Sequence, residues 1–347
     1  MAITIKDIAS RAGVSRGSVD RVIHNRGNIS LHVKQKVENV IAELGYKRNI
    51  IASQLVTNRS LIIGVVLPHF SEDPYWALPM NGIDQCFEEY KHLNIQLKVS
   101  FFNLVNPQSF IKAFQSKTLD QIDALIVAPI YEEVALQCQE YFSNREIPIV
   151  AINTPFNTQK ENTFFVGSDS YQAGKTAGKL FDLIIKDHLS ILQINIGKHQ
   201  QLSTHYKLKQ QGLEDYFIGR DINISTLQIT NPANKAHLQN NISNHIDNYG
   251  PFESIFILNS KAYRFVDAMT NNIEDYTIIG FDLISENISC LRDDKVSFII
   301  DQNPNLQGYQ ALKSILDLLI FENSKNSIQF VPLHIMIKES VLISDTP

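Results

Sequence analysis

Residues 7–27 read DIASRAGVSRGSVDRVIHNRG, and nothing else in the 347-residue chain narrows its possible folds so far. Thr4 is placed to cap a first helix, with Asp7 three residues on as its capping-box partner. Ile5, Ile8, Ala9 and Ala12 then share one helical face. Gly13 supplies a backbone conformation that other residues reach only with strain, so the chain turns there. Ser15 caps a second helix whose inward positions are Val19, Val22 and Ile23. The other face of that helix offers Arg16, Gly17, Ser18 and Arg21. A third helix is expected from a Ser30 cap to Gly45, with Val33, Val37, Val40, Ile41 and Leu44 as its apolar stripe. Two short helices joined through a glycine, the second carrying arginine outward, form an arrangement that fits a helix into the DNA major groove.

Charge points the same way. Residues 1–60 hold ten Lys/Arg against four acids, a net of +6, while the whole chain is −5, which leaves −11 for the rest. A basic head on an acidic body favours phosphate contact at one end only. The bland alternative is a small helical bundle with a solvated basic face.

The remaining length, about 285 residues, suits one or two domains with a substantial core. Short apolar runs recur at 61–67, 95–101, 124–128, 148–153, 190–195, 254–258, 276–281 and 296–300. They are apolar on both faces and separated by helical stretches, the pattern of parallel sheets covered by helices. A pause near residues 156–164 divides them into two halves. The expected fold class is therefore an all-α helix-turn-helix head plus an α/β body of two doubly wound parallel-sheet lobes. The expected boundaries are a head over 1–48, a hinge or linker over 49–60 and a body over 61–347. Within the body, one lobe would take about 61–160 plus 296–330 and the other about 161–295 plus 331–347. Ligands of such sheets sit beyond the carboxyl ends of the strands.

Several function classes find no support. No run of eighteen apolar residues exists and the N-terminal stretch is a charged helix rather than a signal peptide, so no membrane partner is expected. Cys86, Cys138 and Cys290 are odd in number and lack metal-ligand spacing, as unbridged thiols in a reducing cytoplasm would be. Gly174-Lys175-Thr176 resembles the end of a phosphate-binding loop, but Asp169 stands where that loop needs glycine. The glycines there fit better as small residues packing a helix against the sheet. No nucleophile elbow, HExxH or CxxC occurs, so neither catalysis nor a metal or cofactor is expected.

Residues 4–60 resemble the DNA-binding head of the lactose-repressor (LacI/GalR) family of bacterial transcription regulators. The segments that carry the resemblance are TIKDIASRAGVS at 4–15, SVDRVIHN at 18–25 and AELGYKRNIIASQL at 42–55. The resemblance implies DNA contacts from Thr4, Ser15, Arg16, Gly17, Ser18, Arg21 and Asn25. Its base-reading positions fall on Arg16, Gly17 and Arg21. Each arginine can give two hydrogen bonds to guanine O6 and N7, worth about 1–3 kcal/mol of discrimination. Gly17 has no side chain to read with, and Asp20 places a carboxylate near a phosphate-rich surface. Residues 49–55 match the family's hinge helix, so Asn49, Ala52 and Leu55 join the implied DNA-contacting set, with Leu55 as the wedge between base steps. Arg48 stands where the family usually has proline before the hinge asparagine. An ordinary buried linker leucine is the plainer account of Leu55.

Residues 61–340 resemble, more loosely, a periplasmic sugar-binding protein of the ribose type. The matching stretches are DPYW (73–76), IPIVAIN (147–153), FVGSDSYQAGKTAG (165–178), IIGFD (278–282) and DQNP (301–304). The pocket positions implied are Asp73, Tyr75, Trp76, Asn153, Lys207, Asn259, Asp282 and Gln302. The chemistry agrees: carboxylates and amides bind hydroxyls that donate and accept at once, and aromatic rings cover sugar C–H faces. Tyr75 and Trp76 are core residues on the plainer account. Asn153 stands for the family's aspartate, Lys207 for its arginine, Ala128 for an amide and Ser260 for an acid. Those departures imply a carbohydrate-like polyol other than ribose, an anionic one being among the candidates.

The reading for the whole chain is a cytoplasmic homodimeric regulator that binds inverted-repeat DNA under control of a small carbohydrate effector. The rival is a sugar-binding module that acts without specific DNA binding.

Overall fold

A computed structural model describes residues 5–23, 29–44, 60–158, 160–184, 190–197, 204–230, 234–269, 273–321 and 327–341. The chain forms two compact units, a head within residues 1–58 and a much larger body.

The head contains α1 (Ile5–Ala12), α2 (Arg16–Ile23) and α3 (Leu31–Leu44). Gly13 ends α1 at φ +66°, and the Val14 N–H reaches back to the Ala9 carbonyl at 3.1 Å, closing the helix end. Ser15 caps α2 by accepting from the Ser18 N–H at 3.1 Å, and Ser30 caps α3 by accepting from the Val33 N–H at 3.4 Å. Ile8, Ala9, Ala12, Val19, Val37 and Val40 form the core, and Val14, Val22, Val33, Ile41 and Leu44 pack against it. An exposed ion pair, Arg11 to Glu43 at 2.6 Å, joins α1 to α3.

The body contains two six-stranded sheets. In chain order the first lobe has β1 (Leu61–Pro68), α4 (Ala77–Tyr90), β2 (Ile95–Phe102), α5 (Pro107–Phe114), β3 (Ala124–Val127), α6 (Glu132–Ser143), β4 (Ile149–Ile152) and β5 (Thr163–Gly167). The chain then crosses to α7 (Ser170–Ile184), β6 (Ser190–Gly197), α8 (Thr204–Tyr216), β7 (Asn223–Thr230), α9 (Lys235–Tyr249), β8 (Ser254–Ile257), α10 (Ala262–Ala268), β9 (Thr277–Phe281), α11 (Ser285–Arg292) and β10 (Phe298–Asp301). It returns through α12 (Pro304–Leu319) to β11 (Ile328–Phe330) and crosses a third time to β12 (His334–Met336). The orders are β11-β5-β4-β3-β1-β2 and β12-β10-β9-β8-β6-β7, all parallel except for the β10–β12 pair.

The lobe boundaries differ from the sequence-based expectation at two strands. Residues 163–167 pair with β4 in the first sheet, with Ile149 opposite Thr163, and so belong to the lobe before the pause rather than after it. Residues 298–301 pair with β9, with Phe298 opposite Ile279, and so stay in the second lobe. A strand apolar on both faces fits the interior of either sheet, so its pattern alone does not choose the partner. Four strands at 163–167, 223–230, 328–330 and 334–336 lie outside the apolar runs read from the sequence. Strand β7 lies at a sheet edge, carries polar side chains along its length and is mostly half-buried or exposed.

Two glycine pairs set helix-on-helix contacts that hold each lobe. A Cβ on Gly174 of α7 would lie 2.0 Å from the Lys209 carbonyl of α8, and one on Gly212 would lie 2.1 Å from the Tyr171 carbonyl. In the first lobe Gly82 and Gly308 bring α4 and α12 equally close, each 1.8 Å from the opposing carbonyl. The glycines near residue 174 therefore pack helix against helix, not helix against sheet as expected. Cys86, Cys138 and Cys290 are buried and unbridged.

Candidate functional site

In the head, α2 turns Val19 inward and leaves Arg16, Gly17 and Arg21 exposed, with Ser18 half-buried. The Ser15 hydroxyl accepts from the Ser18 backbone and lies 2.9 Å from the Ser18 hydroxyl, so both serines are occupied in holding the start of the helix. Thr4, Asn25, Asn49, Ala52 and Leu55 lie outside the described residues.

In the body, a cleft between the two sheets holds about 760 Å³ of empty space counting its open mouth. Its walls come from the carboxyl ends of strands in both lobes. After β1, Asp73 caps a short turn by accepting from the Tyr75 N–H at 3.2 Å and so presents Tyr75 and Trp76. Asn153 follows β4, Asn259 follows β8, Asp282 follows β9 and Gln302 follows β10. Asn153 and Asp282 both adopt left-handed backbone, φ 64° and φ 65°, which Asn and Asp tolerate better than most residues. These seven sequence-predicted positions line one cavity. Tyr75 and Trp76 are buried, yet they face the cleft rather than the core alone.

Lys207 is a correction. It is exposed and does not line the cleft, whereas Lys209 is buried and does. On α8 the cleft face is set by His205, Tyr206 and Lys209, at i, i+1 and i+4. A residue two positions from His205 falls on another side of the helix. Also unforeseen in the lining are Asn195 at the end of β6 and Lys261 after β8. Asn195 closes the apolar run SILQIN as Asn153 closes PIVAIN, and that place at a strand end is the signal that could have found it.

The second lobe's floor is a polar network. The Gln302 amide donates to both oxygens of Asp282 at 3.0 Å, and its own oxygen accepts from the Ser168 hydroxyl at 3.1 Å. Because Ser168 and Gln302 stand where the chain crosses between lobes, this amide ties the crossings to the carboxylate. Lys209 donates to the Leu258 carbonyl at 3.1 Å and sits 3.6 Å above the Phe281 ring. Burial pushes the Asp282 carboxyl up and the Lys209 ammonium down, and each charge opposes the shift of the other. Burial also raises the Tyr75 and Tyr206 phenols, so both stay protonated. His205 is held well below the ordinary imidazole range by burial and then by Lys209.

Contacts cross the cleft at two levels. Lys261 Nζ lies 3.3 Å from Asp73 Oδ2. Deeper, Thr154 Oγ1 meets His205 Nδ1 at 3.1 Å, while Thr154 donates to Asn153 Oδ1 at 3.3 Å and Asn153 donates to Tyr75 Oη at 2.6 Å.

Comparison with known proteins decides the family. Residues 63–323 match the periplasmic binding protein domain, and residues 4–49 match the model of bacterial regulatory proteins, lacI family. The chain belongs to the lacI family of bacterial regulatory proteins, with a periplasmic binding protein domain as its body. It is a DNA-binding transcriptional regulator. The regulator is 28% identical to the HTH-type transcriptional regulator MalR of Streptococcus pneumoniae over 232 residues, 62% of this chain and 67% of that one. Its fold is similar to that of a LacI transcriptional regulator from Bacteroides fragilis, with TM-score 0.73 and 22% identity over 81% of this chain and 98% of that one. It is also similar to an ABC transporter solute binding protein from Agrobacterium vitis bound with α-D-tagatopyranose, with TM-score 0.70 and 15% identity over 83% and 98%. Among the described residues, no helix is long and apolar enough to cross a membrane.

Proposed function

We propose that this regulator works in the cytoplasm as a homodimer, reads an inverted-repeat operator with α2, and responds to a small carbohydrate or related polyol in the cleft. The observation that carries the effector reading is the convergence of Asp73, Tyr75, Trp76, Asn153, Asn259, Asp282 and Gln302 on one cavity between lobes. Their amides and carboxylates suit hydroxyls, and their two rings suit C–H faces. The Agrobacterium vitis protein of similar fold binds a ketohexose, which agrees with that class. No reaction is assigned to the cleft, whose groups are suited to binding.

Control follows from linkage. A ligand that prefers the closed cleft shifts the regulator between states, and DNA that prefers one of those states must change ligand affinity by the same factor. Two copies side by side place two heads on two half-sites, which gives the operator its symmetry.

The test uses the full-length protein. Bound duplexes are selected from random DNA, and the recovered sequence is titrated in the presence of candidate sugars. Trp76 is the one tryptophan of the chain and lines the cleft, so its fluorescence reports occupancy directly. A recovered inverted repeat whose affinity changes with a sugar is the expected result. Failure to prefer any duplex over bulk competitor at moderate salt would overturn the operator reading, and absence of any sugar response would overturn the effector reading.

A further inference from the structure

The ammonium groups along the cleft are already spoken for. Lys261 Nζ lies 3.3 Å from Asp73, and each side chain is only 12% exposed. That carboxylate is held at both oxygens, since Oδ1 accepts from the Tyr75 N–H while Oδ2 faces Lys261. Lys209 is 1% exposed, donates to the Leu258 carbonyl and interacts with the charge of Asp282. Among the described residues, the lining sets two lysines against two aspartates, Lys261 paired directly with Asp73 and Lys209 within the electrostatic influence of Asp282, so it carries no net charge once His205 is neutral. The rest of the polar lining includes the amides of Asn153, Asn195, Asn259 and Gln302 and two protonated phenols.

We infer that the cleft selects an uncharged polyol, and that the cross-lobe Asp73–Lys261 ion pair is the filter that rejects sugar acids and sugar phosphates. The inference rests on the carbohydrate reading above and narrows it. It also departs from the anionic candidate that a lysine at position 207 suggested, because that lysine is outside the cleft. A carboxylate or phosphate entering the site would need a cation. Taking Lys261 strands the Asp73 carboxylate in a desolvated place, and taking Lys209 draws its ammonium off the buried Leu258 carbonyl. A hydroxyl makes no such demand. It accepts from an ammonium and donates to a carboxylate at once, so it can join the Asp73–Lys261 pair without breaking it.

The test is a matched panel read by Trp76 fluorescence and by calorimetry on the full-length protein. D-ribose, D-glucose, D-galactose and D-allose are compared with ribose 5-phosphate, glucose 6-phosphate, D-glucuronate and D-galacturonate. At least one neutral sugar should bind, and its charged counterpart should bind at least 10-fold more weakly. Asp73→Asn keeps an oxygen to cap the turn but leaves Lys261 without its carboxylate, so the preference for neutral over charged should shrink by 10-fold or more. Lys261→Met, checked for folding by its melting temperature, should widen it. Tighter binding of an acid or phosphate than of its parent sugar by the unaltered protein would overturn the inference and leave the carbohydrate reading standing. An unchanged preference in Asp73→Asn would overturn the filter. If nothing in the panel binds, the carbohydrate reading fails and this inference fails with it.

Discussion

Thr154 and His205 meet between the two lobes, Oγ1 to Nδ1 at 3.1 Å, with both side chains buried. Thr154 follows β4 of the first sheet, and His205 lies on α8 of the second lobe. The Thr154 hydroxyl is shared between the Asn153 oxygen and the His205 imidazole. Four side chains thereby form one hydrogen-bonded run from His205 through Thr154 and Asn153 to Tyr75.

Thr154→Val keeps the shape of the side chain and removes its hydroxyl. The His205 imidazole and the Asn153 oxygen then lose a buried partner, at a cost of about 1–3 kcal/mol. Thermal unfolding should show a lower melting temperature, and Trp76 fluorescence should show weaker binding of whichever sugar the unaltered protein takes. An unchanged melting temperature would mean that the bond between the lobes is not formed in solution.

His205 also sets a pH dependence. Its folded-state value is depressed by burial and by Lys209, so in acid the unfolded chain binds a proton that the folded chain refuses. The resulting stability is full above about pH 6.5, the unfolded value, and is lost as pH falls below it. The loss from this one group has a limiting slope of about 1.4 kcal/mol per pH unit. Asp282 is shifted upward and contributes with the opposite sign, so the measurement is a difference. Denaturant unfolding of the unaltered protein and of His205→Asn between pH 5 and 8 should give curves that converge in acid. Parallel curves would show that His205 titrates normally in the folded state.

Lys209 and Lys207 separate the structure from the sequence resemblance. Lys207→Ala changes an exposed side chain and should leave effector affinity and melting temperature unaltered. Lys209→Met removes a buried ammonium that donates to the Leu258 carbonyl and lies over Phe281, so it should weaken effector binding and cost about 1–3 kcal/mol through the carbonyl left unpaired. Binding titrations on the two variants decide the matter, and equal effects would return Lys207 to the pocket.

That pair also shows what the sequence could and could not convey. Caps, the turn at Gly13 and the apolar stripes are local, so the head was legible down to individual hydrogen bonds at Ser15 and Ser30. The resemblance to sugar-binding proteins rests on local motifs at strand ends, and it placed Asp73, Asn153, Asn259, Asp282 and Gln302 at a cleft before the fold was known. Helical phase relative to a distant strand is not local, and it misplaced the lysine by two residues. Sheet membership is not local either. Thr163–Gly167 and Phe298–Asp301 carry the same kind of apolar pattern, and only pairing with β4 or β9 assigns them. Lys261 lay beyond reach for a related reason, since its partner Asp73 is in the other lobe.

Two glycine substitutions should have opposite signs. Gly174→Ala places a methyl 2.0 Å from the Lys209 carbonyl, and separating α7 from α8 should cost about 1–3 kcal/mol. The shift would also displace the helix that carries His205, Tyr206 and Lys209, so effector binding should weaken with stability. At Gly17 a methyl would meet only the Ser15 hydroxyl, at 3.7 Å. Alanine there should stabilise the helix by about 1 kcal/mol. Circular dichroism melts of both variants check the signs, and a destabilised Gly17→Ala would mean that α2 is not helical at that position.

Arg21 tests the head as a reader of sequence rather than a basic surface. It is exposed on the face of α2 opposite Val19, which is buried in the head core. If its guanidinium pairs with a guanine, Arg21→Ala should weaken binding to the selected operator by roughly 5- to 150-fold, the equivalent of about 1–3 kcal/mol. Binding to unrelated duplex should fall far less. If the residue instead touches only phosphate, both affinities should fall together and the dependence on salt should drop by about one unit of slope. Titrations of both duplexes at several salt concentrations distinguish the two. Equal losses with the reduced slope would remove Arg21 from the base-reading set and leave Arg16 as the exposed arginine on that helix to carry direct readout.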